Sequence, residues 1–198
     1  MNYKHWEKLL LKEINRRWNK SKKFLPSHGP IHHIRVWKNA ETFGLKKKAD
    51  MEVLVASCLL HDIAAYNPSK ASNHEIVSAK IASQLLKKIA FPIAKIGLVT
   101  DCISHHRSGY TKSISLEAKI MKSFDKIDAL GPIGVYRIIT PLGIRGWTAE
   151  KIVKKYLYQG GITKKWEAIA FPELKRKHKK DYLYSLNYFK KLAEELGV

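Results

Sequence analysis

Val53-Leu54-Val55-Ala56-Ser57-Cys58-Leu59-Leu60-His61-Asp62 is an apolar run that ends on an adjacent histidine and aspartate. The run reads as a buried helix. An imidazole and a carboxylate at the end of such a helix are costly to desolvate unless something partners them. A divalent metal is one such partner, because imidazole nitrogen and carboxylate oxygen both ligate zinc, manganese and iron. Local hydrogen bonds at a helix end are another. The dipeptide alone does not choose between them, so the reading has to come from what surrounds it.

The chain has 198 residues, 45% of them hydrophobic. That length fits one domain, or a domain with an added lobe, and can bury a core without staples. Cys58 and Cys102 both sit in apolar runs and read as reduced core residues, which fits a cytoplasmic protein. The first eight residues lack the apolar stretch of a signal peptide. No apolar run reaches the roughly 18 residues needed to cross a bilayer, so no membrane partner is expected. Charge is the unusual quantity: 37 lysines and arginines stand against 17 acids, a formal net charge of +20. Such a surface favours anionic partners, nucleotides or nucleic acid among them, although a lysine-rich composition that serves only solubility would look the same.

Around the central run the pattern is helical throughout. Trp6, Leu9, Leu10, Ile14 and Trp18 recur at three- and four-residue spacing over residues 3–20. A loop around Pro26 and Ser27-His28-Gly29-Pro30 leads into a helix over 31–43, and the central helix follows over 49–63. Asn67-Pro68 breaks the chain, and Ser72-Asn73-His74-Glu75 looks like a capping box opening a helix to about residue 88. Phe91-Pro92 opens the next, which ends near His105-His106 before a polar loop over 107–113. Ser115 caps a helix that carries Asp125 and breaks at Gly131-Pro132, with a short segment over 133–140 beyond. Residues 147–198 read as two or three helices rich in lysine, tyrosine and tryptophan. Strand signals are scarce, so the fold class is all-α: a single domain over 1–198, with a core over 25–140 and a helical extension over 141–198.

His32-His33, His61-Asp62, His74, His105-His106 and Asp125 then fall on five separate helices, and helix ends can converge on a metal in a bundle core. This order resembles the HD superfamily of metal-dependent phosphohydrolases. His28-Gly29-Pro30-Ile31-His32-His33-Ile34-Arg35-Val36 is similar to that family's S-H-D-x-x-H-x-x-R-V opening, and Ala56-Ser57-Cys58-Leu59-Leu60-His61-Asp62-Ile63 to its A-a-L-L-H-D-I. His74-Glu75-Ile76-Val77-Ser78-Ala79 is similar to H-x-x-x-S-A. Asp125-Lys126-Ile127-Asp128-Ala129-Leu130-Gly131-Pro132-Ile133-Gly134-Val135-Tyr136-Arg137 resembles D-R-L-D-A-L-G-A-I-G-I-x-R.

The resemblance implies metal ligands at His32, His61, Asp62 and Asp125. Two imidazoles and two carboxylates suit manganese, iron, nickel or zinc. It implies a second ion or a substrate phosphate at His74 and at His105 or His106, with His105 favoured because it shares a helical face with Cys102 and Leu98. Arg35, His28 and Lys126 are candidate substrate contacts, while Glu117 and Asp128 are candidate supports for the ligands. Arg35 could equally pair with Glu117. The chain departs from the family pattern at Gly29, where an aspartate is frequent, and at Ser123, where an acid is. After the HD pair, Ile63-Ala64-Ala65-Tyr66-Asn67 offers no charged general acid, which leaves three expectations: metal-bound water does the work, His28 or His74 supplies the proton, or turnover is slow. The expectation is a phosphohydrolase that uses metal-activated water on a nucleotide or another small phosphorylated compound, with a homodimer compatible with its aromatic extension. The competing expectation is a basic nucleic-acid-binding helical protein whose metal site is structural or vestigial. It rests on the net charge and on the lysine–aromatic tail, although tyrosines at helical spacing more often pack in a core or a dimer interface.

Overall fold

Ten α-helices and no strand are found among the residues described by the computed structural model, which are 3–21, 26–66, 73–107 and 114–198. In chain order they are α1 (Tyr3–Lys20), α2 (Pro30–Lys46), α3 (Met51–Leu60), α4 (His74–Lys88), α5 (Ile93–Ser104), α6 (Leu116–Ile127), α7 (Gly131–Ile144), α8 (Ala149–Val153), α9 (Gly161–Glu167) and α10 (Pro172–Leu196). Tight 3-10 turns at Pro26–His28 and Ile63–Tyr66 and a π-helical turn at Lys154–Tyr158 complete the described elements. The all-α reading of the sequence holds. Among the described residues no single helix is long and apolar enough to cross a membrane. The break expected at Asn67-Pro68, Ser72 of the expected capping box and most of the loop after Arg107 lie outside the described residues. At the start of α4, Asn73 occupies the N-cap position, without a side-chain bond to the helix.

Packing divides the chain into two compact units, Met1–Phe124 and Asp125–Val198. The sequence places its division near residue 140. The observed one falls inside α6, because α7 packs on α10.

In the first unit α3 is the central element, packed by α1, α2 and α5. Every residue of α3 except Glu52 is buried, as the unbroken apolar run requires. Asp50 starts it by accepting hydrogen bonds from the backbone N–H groups of Glu52 and Val53 at 3.1 and 3.2 Å, a cap that contributes about 1 kcal/mol. Leu10 and Ile14 of α1, Trp37 of α2, Leu54, Leu59 and Leu60 of α3, Leu86 of α4 and Ile103 of α5 are fully or almost fully enclosed. Each such side chain contributes about 1.5–3 kcal/mol through burial. Cys58 and Cys102 are buried free thiols, and burial pushes the Cys102 thiol up to about 11.

In the second unit the helix break after α6 is built from Gly131, whose φ of +69° lies in the left-handed region. Its N–H donates to Ser185 Oγ of α10 at 2.8 Å. Ser185, Phe189 and Ala193 repeat every four residues and form the buried stripe of α10. The segment expected over 133–140 is longer than its sequence suggests: α7 runs to Ile144 with Pro141 inside it. Gly134 of α7 sits against the backbone carbonyl group of Ala129 with no room for a methyl. Because backbone cannot rotate away as a side chain does, Gly134→Ala is expected to destabilise the protein by about 2–3 kcal/mol. A urea-unfolding midpoint equal to the wild type's would refute this.

Candidate metal centre

The C-terminal end of α3 delivers His61 and Asp62 into the interior of the first unit, where they are 0% and 4% exposed. His61 Nδ1 donates to the carbonyl oxygen of Cys58, three residues earlier, at 3.0 Å. That bond fixes the tautomer and aims the Nε2 lone pair away from the helix. His61 Nε2 faces His32 Nε2 of α2 at 3.0 Å. Both nitrogens face Asp62 Oδ2, at 3.4 Å from His61 and 3.6 Å from His32. The second oxygen of Asp62 faces a different pair, His74 Nε2 at 3.1 Å and His106 Nε2 at 3.3 Å. His106 repeats the arrangement of His61: its Nδ1 donates to the carbonyl oxygen of Ile103, again three residues earlier, at 2.7 Å.

Asp62 therefore has one oxygen in each of two groups, one with His32 and His61 and the other with His74 and His106, and the donor atoms within each lie close enough to share an ion. Burial works to raise the Asp62 carboxyl, but His61 and the contacts from His106 and His32 outweigh it and hold the group well below the usual carboxylate range. A buried carboxylate with imidazole nitrogens facing both of its oxygens is costly by itself and favourable around a cation. The donor set, nitrogen and oxygen without thiolate, fits a divalent transition ion.

The surroundings explain the motifs. After Asp62 the chain turns through Ile63–Tyr66, closed by Ala65 N–H donating to the Asp62 carbonyl at 2.8 Å. Ser78 Oγ of α4 accepts from Ala64 N–H at 3.1 Å. The serine of the His74–Ala79 segment thus ties α4, which carries His74, to the turn that follows the HD pair. Asp125 is buried in the last turn of α6, with Lys126 Nζ at 2.7 Å from its Oδ2 and Arg137 Nη2 at 3.6 Å from its Oδ1. Arg137 Nη1 also donates to Asp128 Oδ2 at 3.0 Å.

Several expected positions fall elsewhere. His105 is not the inward histidine. It caps the end of α5, and its Nδ1 lies 2.9 Å from the Asp101 carbonyl and 3.1 Å from Asp101 Oδ1, with over a third of the side chain exposed. The face used to choose it includes Leu98, which is 46% exposed. The buried line runs instead through Val99, Ile103 and His106. Glu117 does not brace the histidines, since its Oε1 accepts from Asp50 N–H at 2.9 Å. That is the opposite end of α3 from Asp62, about 15 Å of helix away. Lys126 pairs with Asp125. His28 is half-buried, with its ring 5.9 Å from that of His32 and its Nδ1 3.0 Å from Ser27 Oγ. Arg35 is half-buried on α2.

Two residues have no role in the sequence reading. Arg137 appears there only as the end of a matched segment. His33 is fully buried between His61 and Tyr66, with ring centroids 5.1 and 5.6 Å away, and neither of its nitrogens is hydrogen-bonded. Burial, then the neighbouring His61 and His32, hold its pKa well below the ordinary histidine value. The Tyr66 hydroxyl is likewise buried without a hydrogen bond, and burial keeps it protonated. The doubled His32-His33 in the sequence was the available signal for His33.

A helical unit with a buried histidine–aspartate cluster at the end of its central helix defines the class. The chain belongs to the HD domain family, whose model matches residues 31–130. No curated protein matches it. Among solved structures it is similar to a predicted HD superfamily hydrolase from an uncultured Thermotogales bacterium, with 22% identity, 96% of this chain and 92% of that one covered, and a TM-score of 0.63. It is similar to YpgQ of Bacillus subtilis, with 16% identity, 98% and 97% coverage and a TM-score of 0.71. YpgQ in complex with ADP aligns with 18% identity, 94% and 96% coverage and a TM-score of 0.68. These likenesses establish a shared fold over nearly the whole chain.

Proposed function

We propose that this protein is a metal-dependent phosphohydrolase acting on a nucleotide or another small phosphorylated compound. The carrying observation is the buried Asp62 with imidazole Nε2 atoms facing both of its oxygens. In this reading His32, His61 and Asp62, with Asp125 as the family resemblance implies, hold one divalent ion of the manganese, iron, nickel or zinc type. An ion there lowers the pKa of water and neutralises charge on phosphate oxygens. The HD domain match supports the reading, as does the ADP bound by the structural neighbour YpgQ.

The chain's own residues then divide the work. The carbonyl groups of Cys58 and Ile103 orient His61 and His106. His74 has the largest exposed fraction in the cluster, about a fifth of its side chain, so it is our choice for the residue that meets substrate phosphate and supplies a proton to the leaving group. The turn Ile63–Tyr66 is buried and uncharged, so it excludes water and donates no proton. A positively charged surface steers an anionic substrate inward.

The reading is tested by elemental analysis of the purified protein together with a screen of phosphorylated substrates under added divalent ions. A wild-type protein that retains no metal and hydrolyses nothing would end it. A second comparison probes the geometry. His106→Ala is expected to lower kcat/KM by about 10- to 100-fold, whereas His105→Ala is expected to stay within about twofold of wild type, because a half-exposed surface interaction is all it removes. Equal effects of the two would mean that His106 does not act at the centre.

A further inference from the structure

We propose that the second unit binds single-stranded nucleic acid through an exposed lysine–tyrosine surface on α8, α9, α10 and the π-helical turn. The proposal is independent of the metal centre.

Residues 151–180 contain ten lysines and arginines and two acids, Glu167 and Glu173. In the first unit several basic residues are held in ion pairs: Lys4 and Lys38 with Glu7, Arg16 and Arg17 with Glu13, and Lys95 with Asp50 and Glu52. In the second unit Lys154, Lys155, Lys164, Lys177, Lys179 and Lys180 are exposed, and none makes an ion pair among the described residues. Positive charge concentrated in such excess over acids is repulsive within the fold and attractive to a polyanion.

Aromatic rings set the choice of polyanion. Trp166 of α9 stacks on Tyr182 of α10 with centroids 4.7 Å apart, and Lys175 lies 6.0 Å from the Trp166 ring. That stack brings the lysines of α9 beside those at the start of α10. Tyr156 is half-buried and stacks on the buried Phe189, so its ring is already engaged. Tyr158, Tyr184 and Tyr188 remain 61%, 47% and 37% exposed. Lys180, Tyr184 and Tyr188 follow one another at four-residue spacing, which places a cation and two rings on one face of α10. Unpaired bases stack on exposed rings while lysines track the phosphates. A duplex hides its base faces, and an anionic bilayer asks for charge and apolar insertion rather than tyrosine faces.

The test is fluorescence anisotropy with the full-length protein and a labelled mixed-sequence single strand of about 20 nucleotides, over a salt series. Competitors are a duplex of equal length and phosphatidylserine vesicles. Binding is expected to weaken steeply with salt. Replacing Lys175, Arg176, Lys177, Lys179 and Lys180 together by glutamine is expected to weaken it at least about tenfold and to flatten the log–log salt slope by about 0.7 for each phosphate that is no longer neutralised. Tyr184→Ala and Tyr188→Ala are each expected to weaken it about fivefold or more, with circular dichroism unchanged. Absence of binding, binding unchanged in the glutamine variant, unchanged binding in both tyrosine variants, equal affinity for the duplex, or preferential capture by vesicles would each overturn the proposal.

Discussion

Asp62→Ala protein is expected to purify folded and free of divalent metal, and to hydrolyse phosphorylated substrates at least about a thousandfold more slowly than wild type. The size follows from its position. Asp62 has one oxygen between His32 and His61 and the other between His74 and His106. Removing it takes its negative charge from both groups at once and leaves His74 and His106 with no carboxylate between them. In the proposed ligand set Asp125 alone would then face the charge of a buried divalent ion, which is too little compensation to hold it. Two readouts separate loss of metal from loss of fold. Added manganese should raise the melting temperature of the wild type, because a ligand at 100 times its Kd stabilises by about 2.7 kcal/mol. The variant should not respond, and its melting temperature without metal should stay close to that of metal-free wild type. Stoichiometric metal in Asp62→Ala would show that the carboxylate is not a ligand and would remove the basis of the proposed chemistry.

How much of this is legible in the sequence varies with the range of the interaction. The buried helix and the His61-Asp62 pair that ends it can be read from ten consecutive residues, because a helix enclosed on almost every side must be apolar at almost every position. The helix cap at Ser115 is also local, and its Oγ accepts from Ala118 N–H as a cap should. The choice between His105 and His106 is decided by where α5 stops. Periodicity carried past Ser104 continues a helix that has already ended, and it follows Leu98, which faces outward. Glu117 illustrates the limit from the other side. Its type and spacing suit a support for the ligands, yet it binds the backbone of Asp50, a pairing across 67 positions that no local pattern encodes. His33 is hidden for a related reason. Nothing in a sequence separates a second histidine that ligates from one that packs its ring against a ligand, and here it packs on His61.

Arg137 carries the other large expected effect. Its side chain is 6% exposed; Nη1 donates to Asp128 at 3.0 Å, and Nη2 lies 3.6 Å from Asp125. One guanidinium thus serves two buried carboxylates, which a rigid fork can do and a single ammonium cannot. Arg137→Ala takes away the charge and leaves both acids buried without it, and breaking a buried pair from one side costs about 3–5 kcal/mol. The expected result is a protein whose urea midpoint falls far below the wild type's or which accumulates poorly. Arg137→Lys restores the charge at one point only, so it should recover a large part of the stability. It should leave Asp125 less firmly oriented, because Lys126 then holds Oδ2 while the guanidinium no longer steadies Oδ1. If Asp125 is a ligand, that variant should bind metal about 10- to 100-fold more weakly while remaining folded. Calorimetric titration with manganese distinguishes the cases. A folded Arg137→Lys protein with wild-type metal affinity would make Arg137 a structural prop alone, and a fully stable Arg137→Ala protein would show that the two carboxylates are held by their other neighbours.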